Sequence, residues 1–205
     1  MTKKKIIKLE NKIKEAHLHP IISKHSASKK DAQETFRLFW SLHLKPVIDM
    51  AKELAEKYDA DIEIAWLSAI LHDIARLDDL EPHDEIGSEK AYILLTEEGF
   101  DKKTAEEVRD TILTHRVKQH KPKTLEQKIL ATADAMSHFK TPFYLWFSSM
   151  SAKPFKEQLE SSLKKIERDY DDKIFFEDER KLIRPEYQIL KKWCNYYSRL
   201  EEKIT

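Results

Sequence analysis

Residues 62 to about 75 read Ile-Glu-Ile-Ala-Trp-Leu-Ser-Ala-Ile-Leu-His-Asp-Ile-Ala, and they constrain the fold more than any other stretch of the chain. Ile62, Ile64, Ala65, Trp66, Leu67, Ala69, Ile70, Leu71 and Ile74 leave almost no polar face. A helix that is apolar nearly all round has to be central, with other elements wrapped about it. Asp61 is placed to cap its first turn. The same helix carries His72 and Asp73 side by side near its far end. Burying an imidazole and a carboxylate there costs several kcal/mol unless they are paired or bind a metal.

Helical spacing recurs along the rest of the chain, and no alternating apolar runs are joined by Asn-Gly or Asp-Gly turns, so the expected fold is all-α. Phe36, Phe39, Trp40, Val47, Met50, Ala51, Leu54, Ala55 and Tyr58 follow offsets of three and four, and Pro46 interrupts them, which sets His43 beside a kink or a restart. Residues 76–84 are charged and contain Pro82, which predicts a loop, followed by a helix to about residue 98 closed by Gly99. Asp101 or Thr104 opens the next helix, with Thr104 and Glu107 spaced as a capping box, and it runs to His115 or Arg116. After a second loop at 120–123, Thr124 and Gln127 repeat that spacing ahead of a helix carrying Ile129, Leu130, Ala133, Asp134 and Met136. Beyond Pro142 come the aromatic residues Phe143, Tyr144, Trp146 and Phe147, then helices over about 154–170 and 185–204.

Three units are expected: a polar, helical lead over 1–35, a core over 36–150, and a C-terminal helical layer over 151–205 packed on that core. The last helix carries Tyr187, Leu190, Trp193 and Tyr197 as an apolar stripe, fit to pack on the domain or on a second subunit in a homo-oligomer.

Composition removes several functions. With only Gly87 and Gly99, the chain can hold neither a glycine-rich dinucleotide fingerprint nor a P-loop. One cysteine, Cys194, excludes an internal disulfide and a cysteine-based zinc site, and fits a reducing compartment. Lys and Arg number 37 against 37 Asp and Glu, so no net charge draws the chain to nucleic acid. No apolar run approaches the length of a membrane span, and the basic start lacks a signal-peptide core, so the expected location is the cytoplasm.

The groups able to meet His72 and Asp73 are His43, His83, His115 and Asp134. Imidazoles and carboxylates without thiolate suit Mn²⁺, Fe²⁺, Co²⁺, Ni²⁺ or Zn²⁺ better than Mg²⁺, which prefers oxygen ligands. One or two ions could be held, and Asp73, with two oxygens, could bridge a pair.

The ordered set His43, then His72-Asp73 in Leu-His-Asp-Ile-Ala-Arg, then Asp134 in Ala-Asp-Ala, resembles the HD-domain metal-dependent phosphohydrolases over about residues 36 to 140. Pro82-His83-Asp84-Glu85-Ile86-Gly87 and Ile112-Leu113-Thr114-His115 look like the additional histidine segments of many members. The resemblance implies an all-helical bundle, a divalent metal on His43, His72, Asp73 and Asp134, and hydrolysis of a phosphoester or phosphoanhydride. In two-metal members, histidines placed like His83 and His115 hold the second ion while the aspartate placed like Asp73 bridges. In single-metal members such groups bind substrate or pass protons, so His83 and His115 stand beside Asp73 as catalytic candidates. Arg116 follows His115 where cyclic-dinucleotide-cleaving relatives have a second histidine.

A small nucleotide is the expected substrate, by analogy with members of similar size. Arg76, Arg116 and Lys118 are candidates to hold its phosphate oxygens. Two rival functions remain at the level of sequence: a metal-stabilised module that senses a nucleotide without hydrolysing it, and a phosphodiesterase acting on nucleic-acid ends through Arg116, Lys118, Lys121 and Lys123.

Overall fold

The computed structural model describes residues 2–18, 29–78 and 80–204; residues 19–28 of the N-terminal lead lie outside the described residues. Among the described residues the chain is all-α and contains no strand. The apolar segment forms helix α4 (Ile62–Leu71), in which every residue from Ile64 to Leu71 is buried. Around it pack α1 (Thr2–Leu18), α3 (Lys45–Lys57), α6 (Lys102–Thr114) and α7 (Leu125–Lys140). Its one indole N–H is satisfied from outside, since Trp66 Nε1 donates to Glu10 on α1 at 2.7 Å. Asp61 caps α4 as expected, accepting from the amides of Glu63 and Ile64.

The expected end of this helix near residue 75 is corrected to Leu71. His72 turns its ring back on the helix and donates from Nδ1 to the carbonyl of Ala69 at 2.9 Å. Past this point the chain tightens into a 3-10 turn over Ile74–Asp78. The expected loop at 76–84 is likewise corrected: that turn occupies its start, and α5 (His83–Glu97) begins at His83. Asp84 and Glu85 sit in the first turn of α5, where carboxylates complement the helix dipole. Gly99 has φ +74°, the left-handed geometry expected of a residue that closes a helix.

Pro46 does not break the path that carries His43. Helix α2 (Lys29–Phe39) runs into a π-helical turn at Trp40–Leu44 and on into α3, with Pro46 in the first turn of α3, where its missing amide donor costs nothing. Thr104 is not the cap of α6. Asp101 takes that place, accepting from the amide and hydroxyl of Thr104 at 3.0 and 2.7 Å. The capping box of Thr124 and Gln127 is present at the start of α7.

Past α7, the aromatic segment is α8 (Phe143–Ser149), followed by α9 (Phe155–Asp171) and α10 (Glu177–Ile204). Helix α10 starts well before residue 185 and keeps Pro185 inside it. Its early turns are tied down: Glu179 is buried and bonds Lys57 and Tyr58, Arg180 donates to the carbonyl of Ile174, and Tyr187 stacks on Tyr170 with centroids 3.9 Å apart. These contacts outweigh the single backbone bond a proline removes. Helices α9 and α10 pack on each other and on α7. Along the last helix, Trp193 and Tyr197 are exposed. Among the described residues, no helix is long and apolar enough to cross a membrane.

If α4 is the organising element, Leu67→Ala, at a position with 0% exposure, lowers the free energy of unfolding by about 3 kcal/mol through lost burial and the cavity left behind. Asp61→Ala lowers it by about 1 kcal/mol through loss of the cap. Urea denaturation of metal-free protein measures both.

Candidate metal centre

Five elements deliver the centre. The π-helical turn carries His43, the end of α4 carries His72 and Asp73, the start of α5 carries His83, and the end of α6 carries His115; α7 adds Asp134 from its middle. All six side chains are buried. Ligand atoms of His43, His72 and Asp134 lie within 4.8 Å of one another, as do those of Asp73, His83 and His115.

The imidazoles share one arrangement. Nδ1 of His43 lies 3.0 Å from the Ser137 hydroxyl, which itself donates to the Asp134 carbonyl and so accepts from the ring. Nδ1 of His72 meets the Ala69 carbonyl, Nδ1 of His115 the Ile112 carbonyl at 2.7 Å, and Nδ1 of His83 the Glu81 carboxylate at 3.0 Å. This bonding assigns the ring proton to Nδ1 in each case and leaves Nε2 as a lone pair directed inward, the tautomer of a metal ligand held by an outer partner.

Those lone pairs converge on two carboxylates. Asp73 Oδ2 lies 3.3 Å from His43 Nε2 and 3.6 Å from His72 Nε2, whereas Oδ1 lies 3.3 Å from His83 Nε2 and 3.9 Å from His115 Nε2. Asp134 Oδ1 lies 3.5 Å from His43 Nε2. Asp73 Oδ1 is buried with no hydrogen-bond donor, and the Nε2 atoms of His43 and His72 face each other at 3.2 Å. Two lone pairs at that separation repel unless a proton or a cation lies between them. This donor set fits a divalent cation, and Asp73 offers one oxygen to each of two ligand groups.

Electrostatics agree. Burial pushes His43 and His83 below the usual imidazole value, and burial reinforced by neighbouring His72 takes His115 to about 3, so the rings are held neutral. Burial would raise the Asp73 carboxyl, but His72, Arg76, His43 and His83 outweigh it and hold it well below the carboxylate range. Asp134 follows the same pattern, with Lys173 the largest of its stabilising charges.

The rim is cationic but largely committed. Arg76 Nε is 3.4 Å from Asp73 Oδ2, and its Nη1 is 3.5 Å from Glu81. Arg116 bonds Asp84 at 2.9 Å and Glu81 at 3.1 Å. Val117 holds φ at +54°, rare for a β-branched residue, where the chain turns away after Arg116. Lys118 is exposed, and partial burial with the charges of Arg116 and Arg168 lowers its pKa. Of the expected substrate contacts, then, Arg76 and Arg116 stand at the centre's edge, and Lys118 is exposed, within electrostatic reach of Arg116, Asp84 and Glu81.

Sequence reasoning left out three participants, Asp169, Lys173 and Glu81, and set aside a fourth, His138, as more in keeping with a core or surface histidine than with an outer partner of Asp134. His138, one helical turn after Asp134, is buried; its Nε2 is 3.4 Å from Asp134 Oδ1, and its ring stacks on His43. Asp169 on α9 fixes it, accepting from Nδ1 at 2.9 Å. Lys173 pairs with Asp134, and Glu81 orients His83. Only His138 had a signal in the sequence, its spacing of four from Asp134.

Comparison with known proteins agrees with this geometry. Residues 41–138 match the family model of the HD domain. A crystal structure described as a predicted HD superfamily hydrolase from an uncultured Thermotogales bacterium is similar in fold, with TM-score 0.52 at 23% identity, over 93% of this chain and 90% of that one. A search of curated proteins gives no match. Residues 41–138 are therefore similar to the HD domain, within an all-α fold.

In the metal-free protein, stability falls in acid. His115 and His138 are near 3 when folded against 6.5 when free, so below pH 6.5 the unfolded chain binds protons the folded chain refuses, and stability drops as pH falls from there toward 3. Asp73 and Asp134, depressed when folded, remove more stability below about pH 3.8. Thermal melting between pH 7.5 and 4 checks this: the melting temperature declines from near pH 6.5 rather than from pH 4.

Proposed function

We propose that the protein is a metal-dependent phosphohydrolase that cleaves a phosphoester or phosphoanhydride bond of a small nucleotide at a two-ion centre. The observation that carries the reading is Asp73, whose Oδ2 faces His43 and His72 while Oδ1 faces His83 and His115. A carboxylate divided in this way could serve both ligand groups at once. His43, His72, Asp73 and Asp134 would hold one ion, and Asp73, His83 and His115 the other, whose thinner ligand set leaves room for water and substrate. The all-nitrogen and carboxylate donors favour Mn²⁺, Fe²⁺, Co²⁺, Ni²⁺ or Zn²⁺ over Mg²⁺.

Bound ions of this kind lower the pKa of coordinated water and neutralise charge on phosphoryl oxygens. The chain's own residues supply the rest. Asp73 fixes the spacing of the two ligand groups. Glu81, accepting from His83 Nδ1, keeps that ring aimed inward. Arg76, beside Asp73 and partly exposed, is placed to donate to a non-bridging phosphate oxygen. Burial of the ligands keeps bulk water from competing for these charges. Of the four residues of the nucleic-acid reading, two are engaged within the chain: Arg116 is bound to Glu81 and Asp84, and Lys121 donates to the Val117 carbonyl at 2.9 Å.

The test is mass-spectrometric product analysis after metal-stripped protein is reloaded with Mn²⁺, Co²⁺, Ni²⁺ or Mg²⁺. The substrates are nucleoside mono-, di- and triphosphates, dinucleoside polyphosphates and a short oligonucleotide. Metal-dependent release of phosphate or pyrophosphate from a nucleotide, abolished in Asp73→Asn, is expected. Tight metal binding with no turnover on any substrate would replace this reading with the sensing module. Where turnover is found, Arg76→Gln lowers kcat/KM by about tenfold to a hundredfold, the value of a lost charge-assisted phosphate contact.

A further inference from the structure

The centre is completed from beyond the HD domain. Lys173 lies in the connection between α9 and α10, outside residues 41–138, and is 3% exposed. Its ammonium is paired with Asp134 Oδ2. The other oxygen, Oδ1, faces inward between His43 Nε2 at 3.5 Å and His138 Nε2 at 3.4 Å. The two oxygens of one carboxylate are thus divided between a fixed cation on the outside and the ligand cluster on the inside.

Lys173 is held from two sides. The Thr132 hydroxyl, on the same helix as Asp134, donates to the Lys173 carbonyl at 3.2 Å and accepts from the Phe175 amide at 3.1 Å. Ile174, between them, is fully buried. A lysine anchored through its own carbonyl and the packed residues that follow it, with its head in the interior, cannot swing away from Asp134 without unpacking the connection.

We propose that Lys173 is a positioning residue of the metal centre: by occupying Asp134 Oδ2 it confines that carboxylate to one-oxygen coordination through Oδ1 and so keeps a coordination position open. The inference rests on the metal-centre reading above. It concerns coordination, so its test does not depend on turnover. Orientation of a ligand by an outer hydrogen-bonding partner is a general feature of metal sites. Here the partner is also a full positive charge, which weakens the hold on a cation while setting its geometry.

The test uses the full-length, metal-stripped protein titrated with Co²⁺. Its visible spectrum weakens as coordination number rises, and its affinity is read by competition with a chromophoric chelator. Lys173→Gln keeps a hydrogen-bond donor but loses the charge. It is expected to show a weaker, shifted Co²⁺ spectrum together with binding tighter by about tenfold or more, because Asp134 gains a second ligating oxygen and the opposing charge is gone. Lys173→Arg keeps the charge and should keep the wild-type spectrum and affinity. Thr132→Val, which loosens the connection but retains both charges, should move both readouts the same way by less. An unchanged spectrum in Lys173→Gln, or weaker binding, overturns the proposal. If that variant does not fold, Thr132→Val decides by the same criterion. Wild-type protein that binds Co²⁺ but hydrolyses nothing would sink the hydrolase reading and leave this one standing.

Discussion

Asp73 is the constraint on which the rest of this molecule depends. It is 4% exposed, at the end of the most apolar helix in the chain, and a carboxylate there needs compensation that no single partner provides. Arg76 reaches one oxygen from the rim, and the other oxygen has no donor. The chain answers with imidazoles brought from α4, α5, α6 and the π-helical turn, each with its proton turned outward. The result is a pocket of lone pairs that is strained when empty of positive charge. A cation bound there stabilises the folded state by mass action and relieves the repulsion between His43 and His72, so folding stability and metal affinity are linked.

Much of this was legible in the sequence, because it followed from patterns that physics ties to one outcome. The all-apolar face of residues 62–71 required a central helix, and a His-Asp pair at its end required partners. His43, His83, His115 and Asp134 come together as the ordered resemblance implied. Boundaries were less legible wherever a side chain competes for backbone groups. Helix α4 ends at Leu71, where the His72 ring bonds back to the Ala69 carbonyl, and of the two starts the sequence offered for α6 it is Asp101 that caps the helix. Pro185 sits inside α10 because Glu179, Arg180 and Tyr187 anchor that helix from positions far away in the chain. Lys173 and Asp169 had no local signature at all: a lysine and an aspartate in a charged region look like solvated surface until packing places them against Asp134 and His138.

The outer partners separate two halves of the centre. On the side of His43, His72 and Asp134, they are internal and permanent: a helix carbonyl, Ser137, Asp169 through His138, and Lys173, all buried. On the side of His83, the partner is Glu81, whose carboxylate is 56% exposed and shared with Arg76 and Arg116. Groups with buried partners keep one geometry, whereas groups with solvated, shared partners can re-form their contacts when another anion arrives. The asymmetry is confined to His83, since His115 is held by the buried Ile112 carbonyl, so within the second ligand group it is the His83 side whose outer partner can be exchanged.

Charge then constrains which ligand that face accepts. The two carboxylates, Asp73 and Asp134, would neutralise only half the charge of the two divalent ions proposed, and His43, His83 and His115, held neutral by burial, would add no negative charge. Lys173 and Arg76 raise the excess further, since their ammonium and guanidinium groups touch those same carboxylates. A loaded centre of this kind has an excess positive potential in a water-poor site, where electrostatic interactions are strongest. Neutral esters or peptides would leave that excess unmatched, whereas a phosphate group matches it with several oxygens at once. On the proposed function the same excess would act on the transition state of phosphoryl transfer, in which charge is spread over the equatorial oxygens, so an arrangement suited to an anionic substrate would also favour its cleavage.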